Sequence, residues 1–286
     1  MTLAPIVLFV YNRPLHTRQT IEALQKNELA KHSELFVFSD NTKTDSDNMY
    51  VAEVRKYLRD IVGFKTVTIV ERETNYGLAN NIISGVSDVV NRFGRVIVLE
   101  DDILVSCHFL KHMNNALEFY KDEKSVMHIS SYMFQVDKDG LKASFFTRQS
   151  FCWGWGTWKR SWSCFKKDSD EYIRLFDESM IMEFNLGGVY NFWNQMLLNH
   201  QKKIDTWAIF WYASIFLQNG YCLQFRDSMS RNIGFDGSGV NCQPTDLYEL
   251  EISDDVPDIE YDREVILSSA GLRAIKQFYE GLRDAK

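Results

Sequence analysis

The chain has 286 residues, 45% of them hydrophobic and 14% aromatic, enough to bury a substantial core and to exclude a disordered protein. With 39 acidic against 32 basic residues its formal charge is −7, so no basic field is available and no nucleic-acid partner is expected. The five cysteines, Cys107, Cys152, Cys164, Cys222 and Cys242, are scattered without CxxC spacing, as reduced thiols in a protein without structural zinc would be.

In chain order, IVLFVY (Ile6–Tyr11) is a continuous apolar run closed by Asn12 and Arg13, with Pro14 placed where a helix begins. It is too short to span a membrane and has no basic leader, which gives the expectation of a cytoplasmic protein. TRQTIEALQ then has helical spacing. LFVF (Leu35–Phe38) is a second strand, closed by Ser39, Asp40 and Asn41, and the polar TKTDSDN leads into a helix around VAEVRKYLRDI. TVTIV (Thr66–Val70) is a third strand, and after Asn75, Tyr76 and Gly77 a long helix runs from Leu78 to about Phe93. Val96–Leu99 is a fourth, ending in three adjacent carboxylates, Glu100, Asp101 and Asp102. Continuous apolar strands alternating with helices predict an α/β fold with a mostly parallel sheet flanked by helices.

Ligands of open parallel α/β sheets bind beyond the carboxyl ends of the strands, where Asn12, Arg13, Asp40, Arg72, Asn75 and the three carboxylates should converge. Burying three like charges without partners costs several kcal/mol per charge, so they must meet solvent, hydrogen-bond donors or a cation. A hard divalent cation, Mn2+ or Mg2+, shared with phosphate oxygens satisfies that demand; helix capping and solvated loops are the alternative use of such acidic residues. Neither GxGxxG nor GxxxxGK[ST] occurs, which argues against a dinucleotide-binding dehydrogenase or a P-loop enzyme.

These segments resemble the N-acetylglucosaminyltransferase I family and its bacterial relatives. IVLFVYNRP, LFVFSDN and VIVLEDDI followed by HFLKHMNNALEFY look like the nucleotide-sugar-binding half of a GT-A (Rossmann-like) glycosyltransferase, with EDD in the place of the DXD motif. SFCWGWGTWKRSW resembles the family's Gly-Trp segment, IDTWAIFW its Asp-containing Trp segment, and SRNIGFDGSGVN its mobile loop. The resemblance implies an inverting, metal-dependent glycosyltransferase that moves a sugar from a nucleotide-sugar donor, expected to be a UDP-sugar, to a hydroxyl of a glycan or lipid-linked oligosaccharide acceptor. It implies that Asp102 binds the metal, Asp101 lies near the ribose and Glu100 near the donor sugar. Arg13 and Asp40 would hold the nucleotide, with Asp40 accepting from the uracil N–H, and Asp205 would be the catalytic base. Residues 1–130 would form the nucleotide-sugar-binding half, 131–250 the acceptor-side half of the same domain, and 251–286 a connector and helix. Two departures stand out: Ile204 replaces a family Trp, and no histidine follows His200, which agrees with coordination by a single carboxylate.

Among Phe151, Trp153, Trp155, Trp158 and Trp162, the glycine-flanked Trp153 and Trp155 are the expected sugar-stacking wall, together with Trp207 beside Asp205. Trp158 and Trp162, at i and i+4, are expected in the core. Gly234, Asp236, Gly237 and Gly239 lie in Arg231–Asn241, read as a lid over the donor, with a plain surface turn as the alternative. Lys159, Arg160, Lys166 and Lys167 would support at most a peripheral contact at the inner membrane face. Two other functions fit parts of this pattern. A nucleotidyltransferase would carry a Gly-rich basic loop after the first strand, which NRPLHTR is not; a non-catalytic binding protein on the same scaffold would not depend on Asp205.

Overall fold

The structure, a computed structural model, describes residues 2–238, 245, 247–252 and 258–284. Four strands, β1 (Ile6–Val10), β2 (Glu34–Ser39), β3 (Thr66–Glu71) and β4 (Arg95–Glu100), alternate with helices α1 (Pro14–Gln25), α2 (Asn48–Leu58) and α3 (Gly77–Phe93). They lie parallel in the order β3-β2-β1-β4. A short β5 (Ile103–Val105) and helix α4 (Phe109–Phe119) follow, then β6 (Val126–Ser130), β7 (Ser144–Thr147) and β8 (Trp155–Trp158). Helices α5 (Lys159–Trp162), α6 (Ser169–Leu175), α7 (Glu178–Phe184), α8 (Trp193–His200) and α9 (Ala208–Leu217) precede β9 (Tyr221–Phe225), β10 (Ser230–Asn232) and the closing helix α10 (Ser269–Asp284). The large sheet continues as β4-β8-β6-β9-β7, with only β8 and β7 running against the rest, so it is a mostly parallel α/β sheet.

The continuous apolar runs follow from burial on both faces. Ile6, Leu8 and Val10 of β1 point into a core shared with α1, α2 and α4, whereas Val7 and Phe9 face α3 and α9. Helix α3 packs through Ala79, Ile82, Val86, Val89 and Val90 at helical spacing, and ends at Gly94, whose φ of 81° is the left-handed cap that glycine adopts without strain. It lies so close to the sheet that a Cβ on Gly85 would stand 2.6 Å from the Phe9 ring and 3.0 Å from that of Phe38. Gly85→Ala is therefore expected to destabilise the protein. Overpacking costs about 1–3 kcal/mol, which outweighs the roughly 1 kcal/mol that alanine gains in helix propensity. In urea unfolding the midpoint would fall with an unchanged slope.

Two aromatic expectations are corrected. Trp155 and Trp207 do not wall a pocket: they are 1% and 3% exposed and their rings stack on each other at 5.3 Å. Trp155 also stacks on the buried His128, whose Nδ1 accepts from Trp211 Nε1 and whose Nε2 faces the Phe151 carbonyl oxygen. Burial pushes that imidazole down to about 3, so it is a neutral packing residue. Trp158 and Trp162 are in the core, each satisfying its indole N–H, on the Leu117 carbonyl and the Ser87 hydroxyl respectively. Helix α10 folds back so that Ala274, Ile275 and Tyr279 close a core with Phe134, Leu141 and Phe145. Among the described residues no helix is long and apolar enough to cross a membrane.

Candidate active site

Because β1 and β4 are parallel neighbours, with Phe9 in register with Glu100, the residues after both strands leave the sheet side by side. Arg13 reaches across from the start of α1, and its Nη2 donates both to Asp101 Oδ1 and, at 2.9 Å, to Asp102 Oδ2. The backbone of this corner is also tied: Thr20 Oγ1 donates to the Asp101 carbonyl and Ile233 N to that of Asp102. Asp101 and Asp102 are 4% and 6% exposed, yet Asp101 Oδ2 and Asp102 Oδ1 have no hydrogen-bond partner.

Asp101 and Asp102 thus share one guanidinium beside a third carboxylate, Glu100. Burial, reinforced by Asp102 and Asp101, holds the Glu100 carboxyl well above the usual carboxylate range. Burial also raises Asp101, against the opposing pull of Arg13. Burial works against the Arg13 charge, but Asp101 and Asp102 outweigh it and keep the guanidinium protonated beyond its ordinary range.

Next to this corner is a cleft of about 380 Å³ lined by Asn12, Arg13, Ser46, Asp47, Tyr50 and Ser238. Asp47 organises it: the carboxylate accepts from Tyr11 Oη and Asn12 Nδ2, each at 2.8 Å, and from the Thr44 amide and hydroxyl. Those donors, Thr44 first, lower the Asp47 carboxyl to about 2. Asp47 and the half-exposed Tyr50 are absent from the expected site residues. The spacing Thr44-x-x-Asp47, a capping box with both of its bonds made, is the signal that points to this turn.

Asp40, expected to accept from the uracil N–H, has a structural task in the fold. Its Oδ1 accepts from the Tyr76 and Asn41 amides and its Oδ2 from the Gly77 amide, so at 4% exposure it caps the first turn of α3. Asn75 is likewise structural here, donating to the Asn41 carbonyl at 2.6 Å. Arg72 stacks over Tyr76 and donates to Asn81 and Ser84 of α3.

The segment expected to be a lid begins as a strand. Arg231 and Asn232 belong to β10, which pairs antiparallel with β5, so that Arg231 is opposite Leu104 and Asn232 opposite Ile103. Beyond it the turn 234–238 folds over the carboxylates. A Cβ on Gly234 would collide with Asp102 Oδ2 and stand 2.9 Å from Arg13 Nη1, so any larger residue would have to displace the Arg13–Asp102 pair. Gly237 has a φ of 87°, and Asp236 Oδ2 is 3.2 Å from His16 Nε2 of α1. Gly239 lies outside the described residues.

Asp205 precedes α9 and is 64% exposed, with its side chain paired to Lys167. Two residues on, Trp207 stacks on Trp155, which is in register with Val98, two positions before Glu100. Trp153 is half-buried against Tyr132, Phe235 and Tyr248, the one expected tryptophan that keeps an accessible face.

No curated protein matches the sequence. Solved structures that are similar over part of the chain include TarS 1–349 of S. aureus, at 16% identity and a TM-score of 0.31 over 44% of this chain. The match spans 34% of that TarS chain, about a third of its length. The mannosyltransferase PcManGT from Pyrobaculum calidifontis, solved with GDP-Man and Mn2+, is 12% identical with a TM-score of 0.40, over 76% of this chain and 70% of its own. A putative nucleotide-diphospho-sugar transferase from Desulfovibrio desulfuricans is 12% identical with a TM-score of 0.33, over 56% of this chain and 65% of its own. The family model for glycosyl transferase family 2 matches residues 6–175, more than half of the sequence and the whole of the strand series that carries the three carboxylates, and the chain belongs to that family.

Proposed function

We propose that the protein is an inverting, metal-dependent glycosyltransferase that moves a hexosyl or N-acetylhexosaminyl group from a UDP-sugar to a hydroxyl of a glycan acceptor, in the synthesis of a surface polysaccharide. The observation that carries this reading is the corner where Arg13 meets Asp101 and Asp102 at the carboxyl ends of β1 and β4, in a family 2 chain. The motif series resembling N-acetylglucosaminyltransferase I supports giving EDD the role of DXD.

The residues fit a divalent cation. Two buried carboxylate oxygens, one each on Asp101 and Asp102, lack partners, and hard oxygen ligands suit Mn2+ or Mg2+. Asp102 would be the principal ligand, with phosphate oxygens completing the set. When bound, the cation offsets the charge that develops on the departing nucleotide diphosphate. The chain's own groups do the rest. Arg13 contributes positive charge toward the diphosphate, and Asn12 and Tyr50 line the cleft that would take the nucleoside. Glu100 faces the donor sugar as a hydrogen-bonding group, and Asp205 takes the proton of the acceptor hydroxyl.

The test is metal-dependent ligand stabilisation. UDP should raise the melting temperature only with Mn2+ or Mg2+ present; at a hundredfold excess over Kd the gain is about 2.7 kcal/mol. Asp102→Ala should abolish that increment, and an equal metal-dependent shift in the variant would sink the metal assignment.

A further inference from the structure

The two ends of the large sheet are finished differently. At one end β7 is covered: Phe146 bridges to Leu267, Ser268 N donates to the Phe146 carbonyl at 2.9 Å, and α10 packs beside Phe145 through Ala274 and Ile275. At the other end, among the described residues, no strand lies beyond β3. Successive residues of a strand turn their N–H and C=O groups to opposite edges, so about half of those of β3 face away from β2 with no strand to receive them.

Open edges are commonly protected by a very short strand, a bulge, or a proline or lysine within the strand, and β3 has none of these. Its residues Thr66–Glu71 run in unbroken register with Glu34–Ser39 of β2. Five in succession, Thr66, Val67, Thr68, Ile69 and Val70, are β-branched, the type that strands favour. Thr66 and Thr68 are exposed, and Phe93, 38% exposed, packs edge-on at 5.5 Å against Phe36, the residue in register with Thr68. The stretch is also complementary to itself. Reversed about Thr68, Thr66 meets Val70, Val67 meets Ile69, and Lys65 meets Glu71. These two charged side chains are 58% and 35% exposed, and their bonds within the chain, Lys65 to Glu34 at 3.0 Å and Glu71 to Arg55 and Arg59 at 3.5 Å, leave both open to a partner across the edge.

We propose that the protein associates with a second copy of itself through this edge, β3 pairing antiparallel with the β3 of that copy about a two-fold axis at Thr68. The large sheet then runs without interruption through both subunits, and because the same surface is used twice the assembly closes at two. Lys65 and Glu71 fix the register from both ends, and the two Phe93 rings lie on either side of the axis. The pairing does not depend on the transferase reading.

The experiment is sedimentation equilibrium on the full chain, with the concentration raised from about 1 to about 200 µM, the range in which a contact of this modest size associates. The weight-average mass should climb from 33.4 kDa toward twice that value. Thr68→Lys, which sets two like charges about 5 Å apart at the axis, should weaken association by about tenfold or more while leaving the melting temperature of the dilute protein nearly unchanged. Under mild oxidation with oxidised glutathione, Thr68→Cys should give a disulfide-linked dimer that the parent does not, because directly opposed residues bring their Cβ atoms within reach of a disulfide. Thr66→Cys should not, since Thr66 stands opposite Val70. A protein that stays monomeric throughout, association untouched by Thr68→Lys, or cross-linking through Thr66→Cys rather than Thr68→Cys would each overturn the proposal.

Discussion

Replacing Asp205 by asparagine is expected to lower sugar transfer by about a hundred- to ten-thousand-fold, the contribution of a positioned general base, while leaving nucleotide-sugar binding nearly intact. The substitution is nearly isosteric at a side chain that is 64% exposed, so the fold has little to lose. The backbone around it is fixed independently: Thr206 N donates to Asn199 Oδ1, Asn199 Nδ2 donates to Thr206 Oγ1, and the buried Trp207 anchors the start of α9. What changes is the ability to accept a proton. Product formation over a panel of nucleotide sugars, with Kd by titration calorimetry, separates the two effects. Turnover left near that of the parent would remove Asp205 from the mechanism. A chain that binds nucleotide sugar but shows no turnover in either form would be a binding protein on a transferase scaffold.

Arg13→Met should be the most destabilising single change at the site. It keeps the methylene stem and removes the cation that Asp101 and Asp102 share, and breaking a buried pair from one side typically costs about 3–5 kcal/mol. The loss should depend on pH in a defined direction. Glu100 and Asp101 already have folded-state pKa values above the ordinary carboxylate range, so the native state holds protons that the unfolded chain releases. Stability then falls as pH rises from that range toward neutrality. Without the guanidinium the Asp101 carboxyl rises further and the fall becomes steeper, so the deficit of the variant should shrink as pH is lowered. Urea unfolding of both proteins across that interval measures it; a deficit independent of pH would mean that Arg13 acts through packing alone.

The parallel half of the sheet was legible because strands buried on both faces must be continuously apolar, as IVLFV and LFVF are. The strands β6 to β10 were harder to see. β8 is WGTW, and a run of tryptophans between glycines has the composition of a sugar platform as much as of a strand. Only the tertiary partners decide: Trp155 and Trp207 cover each other, so neither ring is left for a ligand. Asp40 has two readings for a related reason. An acidic residue after a strand suits either a ligand or a helix cap, and its donors, the Tyr76 and Gly77 amides, are brought to it by an intervening strand and helix. The three carboxylates stood out because an apolar strand ending in like charges needs partners, and Arg13 was expected to converge with them at the carboxyl edge of the sheet; that it pairs with Asp101 and Asp102 is visible only in the structure.

The sheet order also has a consequence for how this chain can be divided. The family-matched segment ends at residue 175, but β9, at Tyr221–Phe225, is inserted between β6 and β7, and β10 is the partner of β5. Cut at that boundary, the segment would keep all three carboxylates and yet leave β7 with no neighbour in the sheet, β6 with an open edge and β5 unpaired. Bare edges of that kind recruit other chains. The carboxylate corner is therefore not a portable module: the latter part of the sequence is woven through the sheet that presents it, and grafting the first 175 residues onto another domain would carry over the charges without the structure that spaces them.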